Sequence, residues 1–329
     1  MTKTQEVYKS AVIGCGRIGC EFNDSPNPKY GIMTHSQAYS LNKRTKLIAL
    51  VDVDEKKVKK YSQKYDVKDY LDWRVMLEKE KPDILSICTL VDLHKEIVCE
   101  SAKKGVKAIV CEKPIAKSLR EADEMIKECE NNGVILCINQ QRRYDLFHQQ
   151  IKSCIDEKLI KNIKEIDVEY SRGLVNTCSH LFDILRYWFG EVQSVSSKMS
   201  DVQSPNISDP NMIVDLKFAN DIVANIKPSS IDKLDITIKG DYNLSITKEG
   251  LQNKEEVLIS IVNAKILNNF MSSVINNVVD CVDGNANPLC TGTDGRKSLE
   301  IICACYLSSQ INKPINLPLE NNEIIIASK

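Results

Sequence analysis

With 329 residues, 44 basic and 45 acidic side chains and a formal net charge of −1, the chain is long enough for two domains of about 100–200 residues each and has no charge surplus for a phosphate backbone. No basic run is interleaved with aromatics, so nucleic acid is not an expected partner. The N-terminus is polar and no stretch approaches roughly 18 apolar residues, which leads to the expectation of a cytoplasmic protein with no membrane contact.

Tyr8 to Ile13 reads as a buried strand that runs into Gly14-Cys15-Gly16-Arg17-Ile18-Gly19. Three further apolar strands follow at Lys46–Val53, Asp83–Thr89 and Val106–Val110, with helical patterns between them. Leu93–Lys104 and Ser118–Asn132 end at Gly105 and Gly133, and the second opens on the capping box Ser118-Leu119-Arg120-Glu121. Val134–Asn139 closes this half. Strands alternating with helices predict an α/β Rossmann domain, a doubly wound parallel sheet, over residues 1–139.

From 140 to 329 the pattern is that of an α+β domain with a large open, mainly antiparallel sheet. Its strands are expected at 163–170, 192–199, 212–218, 222–226, 234–239 and 244–247, with turns at Asn220-Asp221 and Gly240-Asp241. One helix is expected near 178–189 and two late ones near 267–282 and 295–309. The thirteen cysteines, among them Cys88, Cys99, Cys137, Cys303 and Cys305, lie mostly in apolar runs and read as reduced core residues. None shows Cys-x-x-Cys spacing, so no metal is expected.

Gly14, Gly16 and Gly19 match GxGxxG in the strand-to-helix context that gives the motif its meaning. The first permits a tight turn, the second admits a pyrophosphate and the third lets helix and strand pack; Arg17 and Ile18 complete the loop. A ribose-binding acid is expected about 20 residues on, yet Asp52, at the end of the second strand, lies 38 positions after Gly14. Asn23-Asp24-Ser25-Pro26-Asn27-Pro28 cannot be regular helix, so Glu21 to Met33 reads as an insertion poised to overhang the site, with a helix resuming near Thr34. Asp52 would accept ribose hydroxyls and repel a 2'-phosphate, and Val53 offers no cation, so NAD is expected ahead of NADP. The bland reading makes Asp52 and Asp54 a solvated turn.

The glycine loop, Asp52, Cys111-Glu112-Lys113-Pro114, and Asn176-Thr177-Cys178-Ser179-His180 with Asp183 occur in an order and spacing that resembles the glucose-fructose oxidoreductase / inositol dehydrogenase / MocA family across nearly the whole chain. The resemblance implies oxidation of secondary alcohols on sugars or cyclitols with a nicotinamide cofactor. It implies that Glu112 and Lys113 lie at the cofactor, Lys113 touching both cofactor ribose and substrate hydroxyl, and that His180 is the acid/base. A histidine with an ordinary pKa near 6.5 suits that task, and a lysine would stabilise developing alkoxide charge. Thr89 and His94 fall where family members form a loop beside the cofactor.

The family pattern Asp-x-x-x-His has Asn176 in its first position here, and an amide hydrogen-bonds without taking a proton. Such versions resemble members acting on nucleotide-linked sugars, which points to a UDP-N-acetylglucosamine 3-dehydrogenase-like activity. An inositol or free-sugar dehydrogenase, a glycosidase that uses NAD without net redox change, and a non-catalytic sugar sensor are the alternatives. Asp183, three residues after His180, would share its helix face or simply pair with a cation. Arg142 and Arg143 suit a diphosphate or carboxylate on the substrate, or are surface charge. His35 and His148 have no assigned role. A homodimer or homotetramer is the expected assembly.

Overall fold

The computed structural model describes residues 6–24, 31–241, 243–247, 250–252, 257–260, 270–320 and 323–326. The described residues of Met1–Ala116, Glu121–Tyr144 and Asn268–Gly295 form one compact unit, and those of Lys117–Arg120, Asp145–Leu267 and Arg296–Lys329 a second.

The first unit is built on six strands: β1 (Tyr8–Ile13), β2 (Thr45–Val51), β3 (Lys68–Tyr70), β4 (Ile84–Ile87), β5 (Ala108–Cys111) and β6 (Ile135–Ile138). They pair in parallel in the order β3-β2-β1-β4-β5-β6. Every residue of β4 and β5 is buried, which is why these strands read as continuous apolar runs instead of alternating. Both are shorter than the sequence suggests, and β5 runs on to Cys111, so Glu112 is the first residue past its C-terminal end.

Five helices accompany the sheet: α1 (His35–Leu41), α2 (Glu55–Tyr65), α3 (Trp73–Glu80), α4 (His94–Lys103) and α5 (Leu119–Asn131). Thr34, Asp54 and Asp72 cap the first three, each accepting a bond from an amide of the opening turn. Of the insertion expected after the glycine loop, residues 25–30, with Pro26 and Pro28, lie outside the described residues. Glu21–Asp24 form a 3-10 turn, and α1 starts at His35 by donating its His35 and Ser36 amides to the Ile18 and Gly19 carbonyls. A late helix, α8 (Phe270–Val282), packs on α1 and on the turn Gln141–Tyr144. Arg44 ties this return of the chain to the sheet through Asp280, at 2.7 Å, and Asp283.

The second unit holds nine strands: β7 (Glu165–Tyr170), β8 (Val192–Met199), β9 (Met212–Phe218), β10 (Val223–Pro228), β11 (Leu234–Lys239), β12 (Asn243–Thr247), β13 (Gly250–Gln252), β14 (Val257–Ser260) and β15 (Ile315–Asn316). Their order is β14-β13-β12-β11-β7-β10-β9-β8-β15. The ladder is antiparallel except between β7 and β10, which run parallel. Asp221 takes a positive φ of 64° in the tight β9–β10 turn read from Asn220-Asp221. On β7 the inward set Ile166, Val168 and Tyr170 is buried, while outward Asp167 pairs with Lys239 at 2.5 Å. This unit also contains α6 (Leu146–Asp156), α7 (Ser179–Phe189) and the residues of α9 (Gly292–Ile311) from Arg296 onward. Helix α6 and strands β13–β15 lie beyond the elements read from sequence: α6 buries only Phe147 and Ile151, too sparse an apolar stripe to stand out.

Among the described residues, no cysteine forms a disulfide. Among the described residues, no helix is long and apolar enough to cross a membrane.

Candidate functional site

In the first unit, β1 lies beside β4, although the chain passes through β2 and β3 between them. Such a switch point opens a crevice at the C-terminal strand ends, and the loops leaving β1, β2, β4 and β5 all emerge there. Gly14 has φ +99°, and a Cβ on it would come within 2.6 Å of the Cys88 carbonyl oxygen at the end of β4. A Cβ on Gly19 would lie 1.9 Å from the Gly14 oxygen, so this glycine is demanded by packing within the loop. A Cβ on Gly16 would meet nothing within 4 Å. No neighbour in the chain demands a glycine there, which is what close approach of a pyrophosphate to the backbone requires. The residues present therefore fit a dinucleotide.

Asp52 fastens the loop to β2: its Oδ2 accepts the Cys15 amide at 2.7 Å, and its Oδ1 accepts the Asp54 amide at 2.9 Å. Each carboxylate oxygen has a second lone pair, so capacity for ribose hydroxyls remains. Asp54 has a different role, as the cap of α2. Arg17 is exposed and lies over the Phe22 ring at 4.7 Å, and Ile18 is half-buried beside it.

Glu112 and Lys113 leave the end of β5, and the Lys113–Pro114 peptide is cis. Glu112 is 8% exposed, and its Oε1 receives His35 Nε2 at 3.0 Å and Asn139 Nδ2 at 2.6 Å. Burial alone would raise its carboxyl, but the His35 bond and charge, the Asn139 bond and the Lys113 charge prevail and hold it below the usual range. A carboxylate only accepts, so Nε2 of His35 is the donor. Nδ1 of His35 is hydrogen-bonded to Ser86 Oγ at 2.8 Å, and Ser86 Oγ is also hydrogen-bonded to the Tyr39 hydroxyl at 2.8 Å. A buried chain of polar groups thus runs from the core to the residue next to Lys113, which is itself half-buried.

His94 closes the other side of this corner. Its Nε2 lies 3.2 Å from the Thr89 carbonyl, and its Nδ1 lies 3.1 and 3.2 Å from the carbonyls of Pro114 and Ile115. Burial depresses its pKa, with the facing carbonyls and Glu112 only partly opposing. It joins the loop after β4 to the loop after β5. The Thr89 hydroxyl bonds to the Leu90 carbonyl at 3.2 Å. Arg143 is buried, holding the Leu289 carbonyl at 3.0 Å and Asp294 at 3.2 Å, whereas Arg142 beside it is half-buried. Gly14, Gly16, Gly19, Asp52, Thr89, Glu112 and Lys113 thus gather at one edge of one sheet, and Arg143 takes a bracing role within the same unit.

In the second unit, Leu174–Cys178 form a single π-helical turn that leads into α7. Asn176 lies on this turn and His180 on the first turn of α7, both half-buried. A π-turn leaves the usual amide-to-carbonyl ladder disturbed, and insertions of this kind recur at functional sites. The amides freed here are met from the β8–β9 loop: Asp209 Oδ1 accepts the Val175 amide at 2.7 Å, and Oδ2 accepts the Asn176 amide at 2.8 Å. Asn211 Oδ1 accepts the Gly173 amide at 2.9 Å, and a Cβ on Gly173 would strike the Asp209 carboxylate at 2.3 Å. Asp183 is fully buried, bonded to Ser298 of α9 at 3.2 Å and near Arg186 at 4.0 Å. His148 pairs with Asp145 at 2.8 Å and stacks on Trp188, which is a packing role.

Four supporting residues escaped the sequence reading: His35, Ser86, Asn139 and Asp209. Ser86 carried a signal, being a lone polar side chain inside the apolar strand Ile84-Leu85-Ser86-Ile87. Among the described residues, no cluster of three His, Cys, Asp or Glu side chains is arranged to hold a metal ion.

Residues 8–140 match the oxidoreductase family described by its NAD-binding Rossmann fold, GFO_IDH_MocA. Residues 170–317 match the C-terminal alpha/beta domain of the same family. The chain is 24% identical over 356 aligned positions to D-apiose dehydrogenase of Paraburkholderia graminis, covering 96% of this chain and 91% of that protein. It is 28% identical over 195 positions to myo-inositol 2-dehydrogenase of Thermotoga maritima, covering 55% and 54%. Among solved structures, the WlbA dehydrogenase of Bordetella pertussis, in complex with NADH and UDP-GlcNAcA, superposes with a TM-score of 0.82 at 21% identity, covering 96% of this chain and 99% of that one.

Proposed function

The chain belongs to the glucose-fructose oxidoreductase / inositol dehydrogenase / MocA family of NAD-dependent sugar and polyol dehydrogenases, and from that premise we propose that its substrate is a nucleotide-linked sugar, oxidised at a secondary alcohol as by a UDP-N-acetylglucosamine 3-dehydrogenase. The observation that carries this reading is Asn176, four residues before His180 where the family pattern has aspartate. The amide orients a hydroxyl by hydrogen bonding and leaves proton transfer to its neighbours.

In this mechanism His180 removes the proton of the reacting hydroxyl, and Lys113 donates to the same oxygen and stabilises the negative charge that develops on it. The nicotinamide, when bound, supplies the redox chemistry. Glu112, ionised and fixed by His35 and Asn139, holds the strand end from which Lys113 projects. Arg142 meets the diphosphate of the substrate. Residues 1–139 bind the cofactor and 140–329 the sugar, in a cytoplasmic homodimer or homotetramer.

A free sugar is the second reading, favoured by the full-length likeness to D-apiose dehydrogenase. The test is NADH formation with the purified protein against UDP-sugars, free pentoses and hexoses, and inositols. Turnover of UDP-N-acetylglucosamine-type substrates well above the others is the expected result; turnover of free sugars or inositol alone refutes it.

A further inference from the structure

Helix α2 begins where β2 ends, directly behind Asp52, and its lysines at positions 57, 60 and 64 repeat at helical spacing along one face. A helix N-terminus followed by a row of ammonium groups is an arrangement that attracts phosphate. Here the row is already engaged, and the acids come from the insertion. Lys57 Nζ lies 3.0 Å from Glu21 Oε1. Lys60 Nζ and Lys64 Nζ each lie 2.7 Å from an oxygen of Asp24, which also accepts the Tyr61 hydroxyl at 2.6 Å.

Lys57 matters most because of where it starts. The Asp54 amide donates to Asp52 Oδ1 at 2.9 Å, and the Lys57 amide donates to Asp54 Oδ1 at 3.2 Å. The ammonium therefore rises from the same corner as the ribose-binding carboxylate. The Glu21 bond raises its pKa, and the charges of Asp52 and Asp54 contribute in the same direction. The described ends of the insertion are joined to each other, since Asn23 Oδ1 accepts the Met33 and Thr34 amides at 3.2 and 2.9 Å.

We propose that Glu21 and Asp24, at the start of the insertion, form a cofactor-selectivity element: Glu21, supported by Asp24, occupies Lys57 and the lysine row behind it and so withholds Lys57 from the 2'-phosphate of NADP. The inference rests on Asp52 as the acceptor of the adenosine ribose. Its consequence is that selectivity for NAD has two layers, repulsion by Asp52 and withholding of Lys57 by Glu21.

The test is fluorescence titration of the full chain with NADH and NADPH, comparing wild type with Glu21→Gln, Glu21→Gln/Lys57→Gln and Asp52→Ser. Glu21→Gln is expected to raise NADPH affinity relative to NADH about threefold to tenfold at low ionic strength, as for a partly exposed charge pair, and to lose most of that gain near about 0.5 M salt. Adding Lys57→Gln is expected to return the ratio to wild type. An unchanged ratio in Glu21→Gln, or a gain that survives Lys57→Gln, overturns the proposal. If Asp52→Ser relaxes the ratio in that same experiment, the ribose assignment stands without it; if Asp52→Ser also has no effect, both fall.

Discussion

Lys113 leaves β5 beside groups drawn from neighbouring strand ends and the helix packed on them, whereas His180 sits on a helix whose opening turn is held by Asp209, 33 residues beyond Asn176 in sequence. The first arrangement is built from backbone geometry: glycines that only fit without a side chain, a strand end, and short crossovers that bring loops together. The second is built from one remote carboxylate matched to the amides of Val175 and Asn176. A parallel sheet positions its loops by topology alone, but a disturbed helix start needs an external partner for each orphaned amide. Positioning in the first unit is therefore spread over many residues, and in the second it is concentrated in Asp209.

The sharpest way to break this comparison is to remove each candidate catalytic side chain. Lys113→Met and His180→Gln are each expected to lower kcat about 10²- to 10⁴-fold, the range for general acid–base and oxyanion groups, with NADH binding kept. Turnover near wild type in either variant removes that residue from the mechanism. A smaller effect separates the two modes of support. Asp209→Ala removes the acceptor of one buried and one partly buried amide and is expected to cost about 1–3 kcal/mol for the buried one, with less for the other, seen as a lower thermal midpoint together with reduced kcat. Glu in its place is expected to recover part of both, and an Ala variant with wild-type midpoint and turnover shows that the turn supports itself.

The smallest effect is a pH dependence in the first unit. His94 has a depressed pKa when folded, so the unfolded chain binds its proton first. Its contribution is complete above the ordinary value near 6.5 and declines as pH falls through the lower folded value. Thermal midpoints followed from pH 7.5 to about 5 are expected to fall more steeply in wild type than in His94→Asn. Parallel profiles show that the ring takes up a proton in the fold without cost.

The sequence was most readable where a residue type is compelled by its own backbone. Gly14 and Gly19 are required by close approach, so the GxGxxG spacing picked out both, whereas Asp52 was picked out by the end of the second strand and not by its distance from the glycines. The helix restart expected near Thr34 matches its cap. What resisted reading depends on tertiary partners. Nothing local marks His35 as the donor to Glu112, because that contact joins α1 to a strand end 77 residues away. Asp183 shares a helix with His180, yet its burial against Ser298 is set by α9. The parallel pairing of β7 with β10 is likewise invisible to alternation, which reports the face of a strand and not its direction.

The restart of α1 carries one more consequence. Seventeen positions separate Ile18 from His35, the residues joined by its first bond, and the next bond, Gly19 to Ser36, spans the same distance; an unbroken helix needs four. The surplus is thirteen residues in both cases, so the two bonds keep helical phase between the turn at Ile18-Gly19 and the first residues of α1. A chain shortened by those thirteen residues, Glu21 to Met33, would lose both acids that hold the α2 lysines and is the background in which to ask what the extra segment adds.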